Sequence, residues 1–173
     1  MSSSTEIKLK ATLTKSKTGW YFLDVPTKIA RRFETDPKTR RVVCTLNGSH
    51  TFQCALSPNG KGDYCIGVSM TIRKKLGLEA GDVVAIELRP DTSKYGAPMP
   101  EEFAEVLKQD PEGDKLFHAL TSGMRRSLIY LVASTKNVDK RIHFALLVLE
   151  HLKENNGKVK GALLFEEIKR PLF

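Results

Sequence analysis

The side chains best placed to do chemistry in this chain are cations. Arg31-Arg32 and Lys74-Lys75 are adjacent basic pairs, and Arg73 stands directly before the second. Lysine and arginine in such clusters contact phosphate oxygens, and the contacts weaken with salt because binding releases condensed counterions. Each pair closes a similar run, YFLDVPTKIARRF at 21–33 and YCIGVSMTIRKKL at 64–76. Tyr21 matches Tyr64, Val25 matches Val68, Ile29 matches Ile72 and Phe33 matches Leu76. Two readings of the pairs stand side by side: phosphate contacts made twice, or the wet sides of two short amphipathic helices.

Other chemistry finds little support. Cys44, Cys54 and Cys65 have no CxxC spacing and lie in apolar, strand-like surroundings, which reads as buried reduced thiols. His50, His118, His143 and His151 form no metal-ligand spacing with cysteines or acids, and no metal is expected. His143 and His151 share one predicted helix and read as its solvated side. Gly60-Lys61-Gly62 is too short for a phosphate-cradling loop and reads as a turn. No Ser or Cys has the setting of an activated nucleophile. The expectation is a protein that is not an enzyme and uses no cofactor.

The elements that would position the cations follow from local pattern. Residues 7–13 alternate apolar and polar, as a half-buried strand does. A strand at 20–25 ends at Pro26, which suits the first turn of a helix over 27–33. A strand over 41–46 meets Asn47-Gly48, a strong hairpin signal, and returns over 50–56. After the turn at 58–62 come a strand at 64–68, a helix at 71–76, a left-handed cap at Gly77 and a strand at 83–88. Each copy of the repeat thus runs strand, helix, strand, with a one-residue insertion in one of them. Two similar units that pack about a pseudo-twofold axis would follow.

Composition sets a boundary. Residues 1–96 hold 16 Lys/Arg against 9 Asp/Glu, and residues 97–173 hold 12 against 11, so nearly all of the net +8 lies in the first half. Pro90, Gly96, Pro98 and Pro100 cluster at the change. Beyond it, helices are predicted at 100–109, 112–120, 123–134 (with Ser122 as cap) and 137–154. The tail at 158–173 reads as a strand or a docked extension. Hydrophobic content of 40% supports a real core. No apolar run is long enough to span a membrane, and the start lacks the apolar stretch of a signal peptide. Residues 1–6 read as a disordered lead, and the protein as cytoplasmic.

Two resemblances add to this reading. The string Thr71-Ile72-Arg73-Lys74-Lys75-Leu76-Gly77, followed by Gly81-Asp82, resembles the swapped-hairpin DNA-binding domains of the AbrB/MazE/MraZ type. There, two copies usually dimerise into a double-split β-barrel; here one chain supplies both. Residues 7–89 also resemble an uncharacterised bacterial domain family with that barrel, through Trp20, Val25-Pro26, Arg41-Val42, Asn47-Gly48 and Gly60 to Tyr64. Met70 replaces the proline expected before the second helix, and Glu34-Thr35-Asp36-Pro37-Lys38 replaces the first copy's glycine turn. The second half resembles the YdeI/OmpD-associated, or bacteriocin-protection, family through Pro100-Glu101-Glu102-Phe103, Asp110-Pro111, Phe117, Leu120 and Arg125-Arg126.

The resulting expectation is an α+β protein. A double-split β-barrel with a pseudo-twofold internal repeat occupies 7–92, and a small helical domain occupies 98–157. Arg31, Arg32, Arg73, Lys74 and Lys75 are the candidate nucleic-acid-binding residues. The competing expectation is a protein-interaction or stress-protection module that meets its partner through apolar residues such as Phe103, Phe117 and Phe144.

Overall fold

The computed structural model describes residues 5–34 and 40–171. Most of the expected disordered lead and the segment 35–39 therefore lie outside the described residues. The chain divides between Thr92 and Ser93 into two compact units.

The first unit holds eight strands: β1 (Ile7–Thr12), β2 (Thr14–Lys15), β3 (Tyr21–Val25), β4 (Arg41–Leu46), β5 (His50–Ala55), β6 (Ser57–Pro58), β7 (Tyr64–Gly67) and β8 (Val83–Pro90). They form two antiparallel four-stranded sheets, in the orders β1-β8-β4-β5 and β2-β3-β7-β6. Exchanging β1–β4 for β5–β8 leaves both orders unchanged. The register follows the same exchange. In the second sheet Leu23 faces Ile66, with Phe22 opposite Gly67 and Asp24 opposite Cys65. In the first sheet Thr45 faces Glu87, with Cys44 opposite Leu88 and Leu46 opposite Ile86.

The sheets do not close into a barrel. Among the described residues every β-ladder lies within one sheet or the other. The chain crosses between them at two corners, Leu13 and Leu56, each buried. At each corner isolated backbone bonds replace a ladder: Leu13 N–H donates to Asp82 O at 2.8 Å and Leu13 O accepts from Gly81 N–H at 2.8 Å, while Leu56 N–H donates to Arg40 O at 2.9 Å. A strand that bends through a corner aims its next donors into the other sheet, so pairing cannot continue around the circuit. Edge strands β2 and β6 are two residues long, which leaves little unpaired backbone for another chain to join.

Two short helices link the sheets. Helix α1 (Thr27–Ala30) leads into a 3-10 turn, Arg31–Phe33, and helix α2 spans Met70–Leu76. Ala30 and Phe33 are fully buried, and Ile29, Ile72 and Leu76 pack against the same core. Leu23, Ile66, Ile86 and Leu88 form its centre.

The second unit is helical: α3 (Glu101–Gln109), α4 (Pro111–His118), α5 (Ser122–Ala133), α6 (Val138–Glu154) and α7 (Gly161–Glu167). Side-chain caps satisfy N-terminal amides that have no helical partner. Asp110 accepts from Gly113 N–H at 2.9 Å and Asn137 from Lys140 N–H at 3.0 Å. The cap of α5 is Thr121, one residue ahead of the expected Ser122, and it accepts from Met124 N–H. The tail is a docked helix, held by buried Leu164 and by Ile168 against the helical core. Among the described residues no helix is long and apolar enough to cross a membrane.

Candidate nucleic-acid interface

The five predicted cations fall into two groups of different character. Arg31, Arg32, Lys74 and Lys75 are exposed, and no described acidic side chain pairs with any of them. Arg73 is half-buried, and its guanidinium carbon lies 3.6 Å from the centroid of the Tyr21 ring. It is a cation–π strut between α2 and β3 before it is anything else. The repeat of Tyr21 is Tyr64, and it too carries an arginine: Arg40, at 4.4 Å. Arg40 also pairs with Glu34. Each tyrosine is covered by an arginine from the other copy, but the two arginines do not occupy matching positions.

Strand pairing sets where the basic pairs lie. Helix α1 begins beside the Val25–Tyr64 pair, whereas α2 begins where Val68 N–H bonds Tyr21 O at 2.9 Å. Those points are four residues apart on β3, roughly 13 Å at a strand's rise. The basic pairs leave the sheet at its opposite ends, as two separate clusters.

The helices that carry them are held differently. Ser69 caps α2 from within, accepting from Ile72 N–H, and Gly77 ends it at φ +64°, where a side chain would be strained. Helix α1 follows Pro26, which has no side-chain acceptor. Its first amide is capped from the other copy: Thr27 N–H donates to Asp63 Oδ1 at 2.9 Å, the Thr27 hydroxyl lies 2.9 Å from the same atom, and it donates to Gly62 O at 2.6 Å. The Thr27 amide, and then its hydroxyl, hold the Asp63 carboxyl below the usual carboxylate range.

The glycine pair at 60 and 62 is a turn. Both residues have positive φ, and Asn59 Oδ1 accepts from the Lys61 and Asp63 amides, so these donors are not presented to a phosphate. The cysteines are free. A hydrogen bond with Cys54, and then burial, push the Cys44 thiol far up, while burial raises Cys65, so neither offers a thiolate. Among the described residues no group of three His, Cys, Asp or Glu is placed to hold a metal ion.

His151 corrects the expectation of a solvated histidine. It is 1% exposed, and Glu167 beside it is 5% exposed. Lys160 N–H donates to His151 Nε2 at 3.0 Å, so the proton is on Nδ1, which donates to Glu167 Oε2 at 2.8 Å. This staple fastens α7 to α6. Its signal was the position of His151 in the helix, directly before Leu152 and three residues after Val148, both buried; nothing local marked Glu167 as the partner. Phe103 and Phe117 are also fully buried and offer no surface to a partner, while Phe144 is partly buried against the helical core. The exposed apolar residues of α6 are instead Val138, Ile142 and Leu146.

No curated protein matches the chain. Residues 10–88 match a domain of unknown function, DUF1905. Residues 97–143 match the family described as bacteriocin-protection, YdeI or OmpD-associated. The two sheets with their linking helices overlap the first match and the helical unit overlaps the second, so the chain carries a DUF1905 domain at 10–88 followed by a YdeI/OmpD-associated domain at 97–143.

Proposed function

We propose that this is a non-enzymatic, cytoplasmic binding protein whose sheet unit contacts nucleic acid through two basic clusters. The observation that carries the reading is the exposure of Arg31-Arg32 and Lys74-Lys75 at matching places in the two copies. The invariance of both sheet orders under exchange of the copies favours a pseudo-twofold relation, as in the double-split barrels of AbrB-type proteins. On that relation the clusters are two equivalent grips on one phosphate backbone. Arg73 contributes by holding α2 on Tyr21.

The test is fluorescence anisotropy of labelled DNA and RNA across a salt series. Four phosphate contacts predict a log–log salt slope of about −3. Lys74→Glu with Lys75→Glu, or Arg31→Glu with Arg32→Glu, should each remove about half of that slope. Absence of binding at low salt, or slopes untouched by both double variants, refutes the reading. Arg73 is left intact in this test because it also holds α2 on Tyr21, so its replacement would mix a lost support with any lost contact.

One observation favours a second reading, a protein-interaction module. Val138, Ile142 and Leu146 recur every four residues on α6 and are 37–53% exposed. Ile142 and Leu146 line a cleft of about 470 Å³ with Val106, Glu101 and Glu105 of α3. An apolar floor with acidic walls fits a basic amphipathic helix. A labelled Lys/Leu amphipathic peptide should bind, and Leu146→Asp should abolish binding; a peptide that ignores the protein rejects this surface.

A further inference from the structure

The chain has one tryptophan, and it stands at the α2 end of the second sheet. Trp20 is 46% exposed. A tight turn presents it: Ser16 Oγ accepts from Trp20 N–H at 2.9 Å, Ser16 N–H donates to Trp20 O at 2.7 Å, and Gly19 supplies φ +87°. The indole stacks on Phe22 with centroids 5.1 Å apart and planes 23° from parallel. It also lies across Gly67, the cross-strand partner of Phe22. A methyl group at Gly67 would stand 3.3 Å from the indole Cζ2 and 3.4 Å from Nε1. Gly67 has no positive φ, so its backbone does not require glycine; what the missing side chain provides is room for the ring to lie down. The result is a fixed aromatic platform on the outer face of the sheet.

Its surroundings identify the occupant. Strand β7 runs from Gly67 through Val68 and Ser69 into α2, which carries Lys74 and Lys75. Lys15 of the neighbouring strand β2 pairs with Tyr21 and shares its face, so it stands on the other side of the sheet from the platform and is not counted among these cations. The acid on the same outer face, Asp24, accepts from the Asn59 side-chain amide at 2.9 Å. An open π-surface beside cations matches a chain that carries flat rings and negative charge together.

We propose that Trp20 and Phe22 form a stacking platform for an unpaired base, which makes single-stranded nucleic acid the ligand of this unit. The proposal rests on the nucleic-acid reading above and narrows it. Bases in a duplex are stacked on one another and cannot reach a platform on a sheet, whereas an unpaired base can lie on any aromatic face. The backbone of the same strand would then run past Lys74 and Lys75.

Because Trp20 is the sole tryptophan, its own fluorescence reports the contact. The full chain is titrated at low salt with a short oligo-thymidylate, a duplex of matched length and inorganic polyphosphate; emission is read on the native chain, and calorimetry gives the affinities of the variants, which carry no tryptophan. Oligo-thymidylate should quench the emission and bind more tightly than the duplex. Trp20→Ala should weaken oligo-thymidylate about tenfold, as the loss of one stacked base does, and leave polyphosphate unchanged. Trp20→Phe, which keeps a ring, should retain most of the affinity and covers the case in which the alanine variant fails to fold. If oligo-thymidylate binds without quenching, and Trp20→Ala or Trp20→Phe lowers only the melting temperature, the platform is a structural cover for Gly67; the nucleic-acid reading then survives and this proposal does not. Equal affinity for all three polyanions overturns it in the same way. If nothing binds, both readings fail.

Discussion

The two ends of the N-terminal sheet unit carry matching sequences and hold their helices by opposite means. At one end α2 is self-sufficient: seven residues, a serine cap within the segment and a left-handed glycine at its close. At the other end α1 is four residues and a 3-10 turn, with its first amide bonded to Asp63 of the other copy and Phe33 buried beneath it. A short helix has too few internal hydrogen bonds to stand by itself, so tertiary contacts must hold it. A repeated sequence therefore repeats a shape without repeating the forces that secure it.

The largest way to break this comparison is in the core. Phe33→Ala should cost about 3–5 kcal/mol, since it empties a fully buried site, whereas Leu76→Ala at the half-buried equivalent should stay below about 2 kcal/mol. Denaturant unfolding of both variants checks the ratio. Equal costs would mean that the two ends are anchored alike.

Gly77→Ala should come next, at about 1–2 kcal/mol, because it forces a side chain into the left-handed region. The loss belongs to α2 and should appear as a lower melting temperature. At the other end the 3-10 turn closes on Glu34, which is extended at φ −72° rather than left-handed.

A smaller effect is expected at Arg73. Arg73→Met keeps the stem and removes the charge from Tyr21, which should cost about 0.5–1 kcal/mol. Binding should fall far less than in the Lys74→Glu, Lys75→Glu variant. If Arg73→Met weakened binding as much as that double variant, Arg73 would be a contact as well as a strut.

Acid should separate the ends without unfolding the protein at once. The Asp63 carboxyl titrates below its ordinary value in the folded state, so its contribution is present above about pH 4 and is lost as pH falls through the depressed value. Protection of the Ile29 and Ala30 amides against hydrogen exchange should fall there first, and Asp63→Asn should remove that pH dependence. The Ser69 hydroxyl does not titrate, so protection of Ile72 should persist. Glu102, held down by Arg141, and Asp110, held down by Lys153 and the Gly113 amide, add acid lability of the same sign to the helical unit.

Much of this arrangement was legible from local pattern. The alternation at 7–13, the Asn-Gly hairpin and the matched runs at 21–33 and 64–76 point to elements that form where they were expected, because side-chain period and turn chemistry act over a few residues. The exposure of Arg31, Arg32, Lys74 and Lys75 follows from the same helical period. Less legible were the parts that depend on what comes near in space. Arg73 looked like a third cation of its cluster until Tyr21 was found beneath it. His151 looked like one of two solvated histidines until α7 folded over it. Trp20 marked a family resemblance, and only its cross-strand neighbour Gly67 shows that its ring is laid flat.

By itself, then, the sequence determined the order of the main strands and short helices, the matched runs at 21–33 and 64–76, the basic pairs and the division into a sheet half and a helical half, all set by periodicity, turn residues and charge count. Only the tertiary structure decided that the sheets stay unclosed at Leu13 and Leu56, that the basic pairs lie at opposite ends, and that α1 borrows its cap from Asp63. Those outcomes depend on which residues meet across stretches of chain far longer than a strand or a turn, and no local pattern records a contact of that separation.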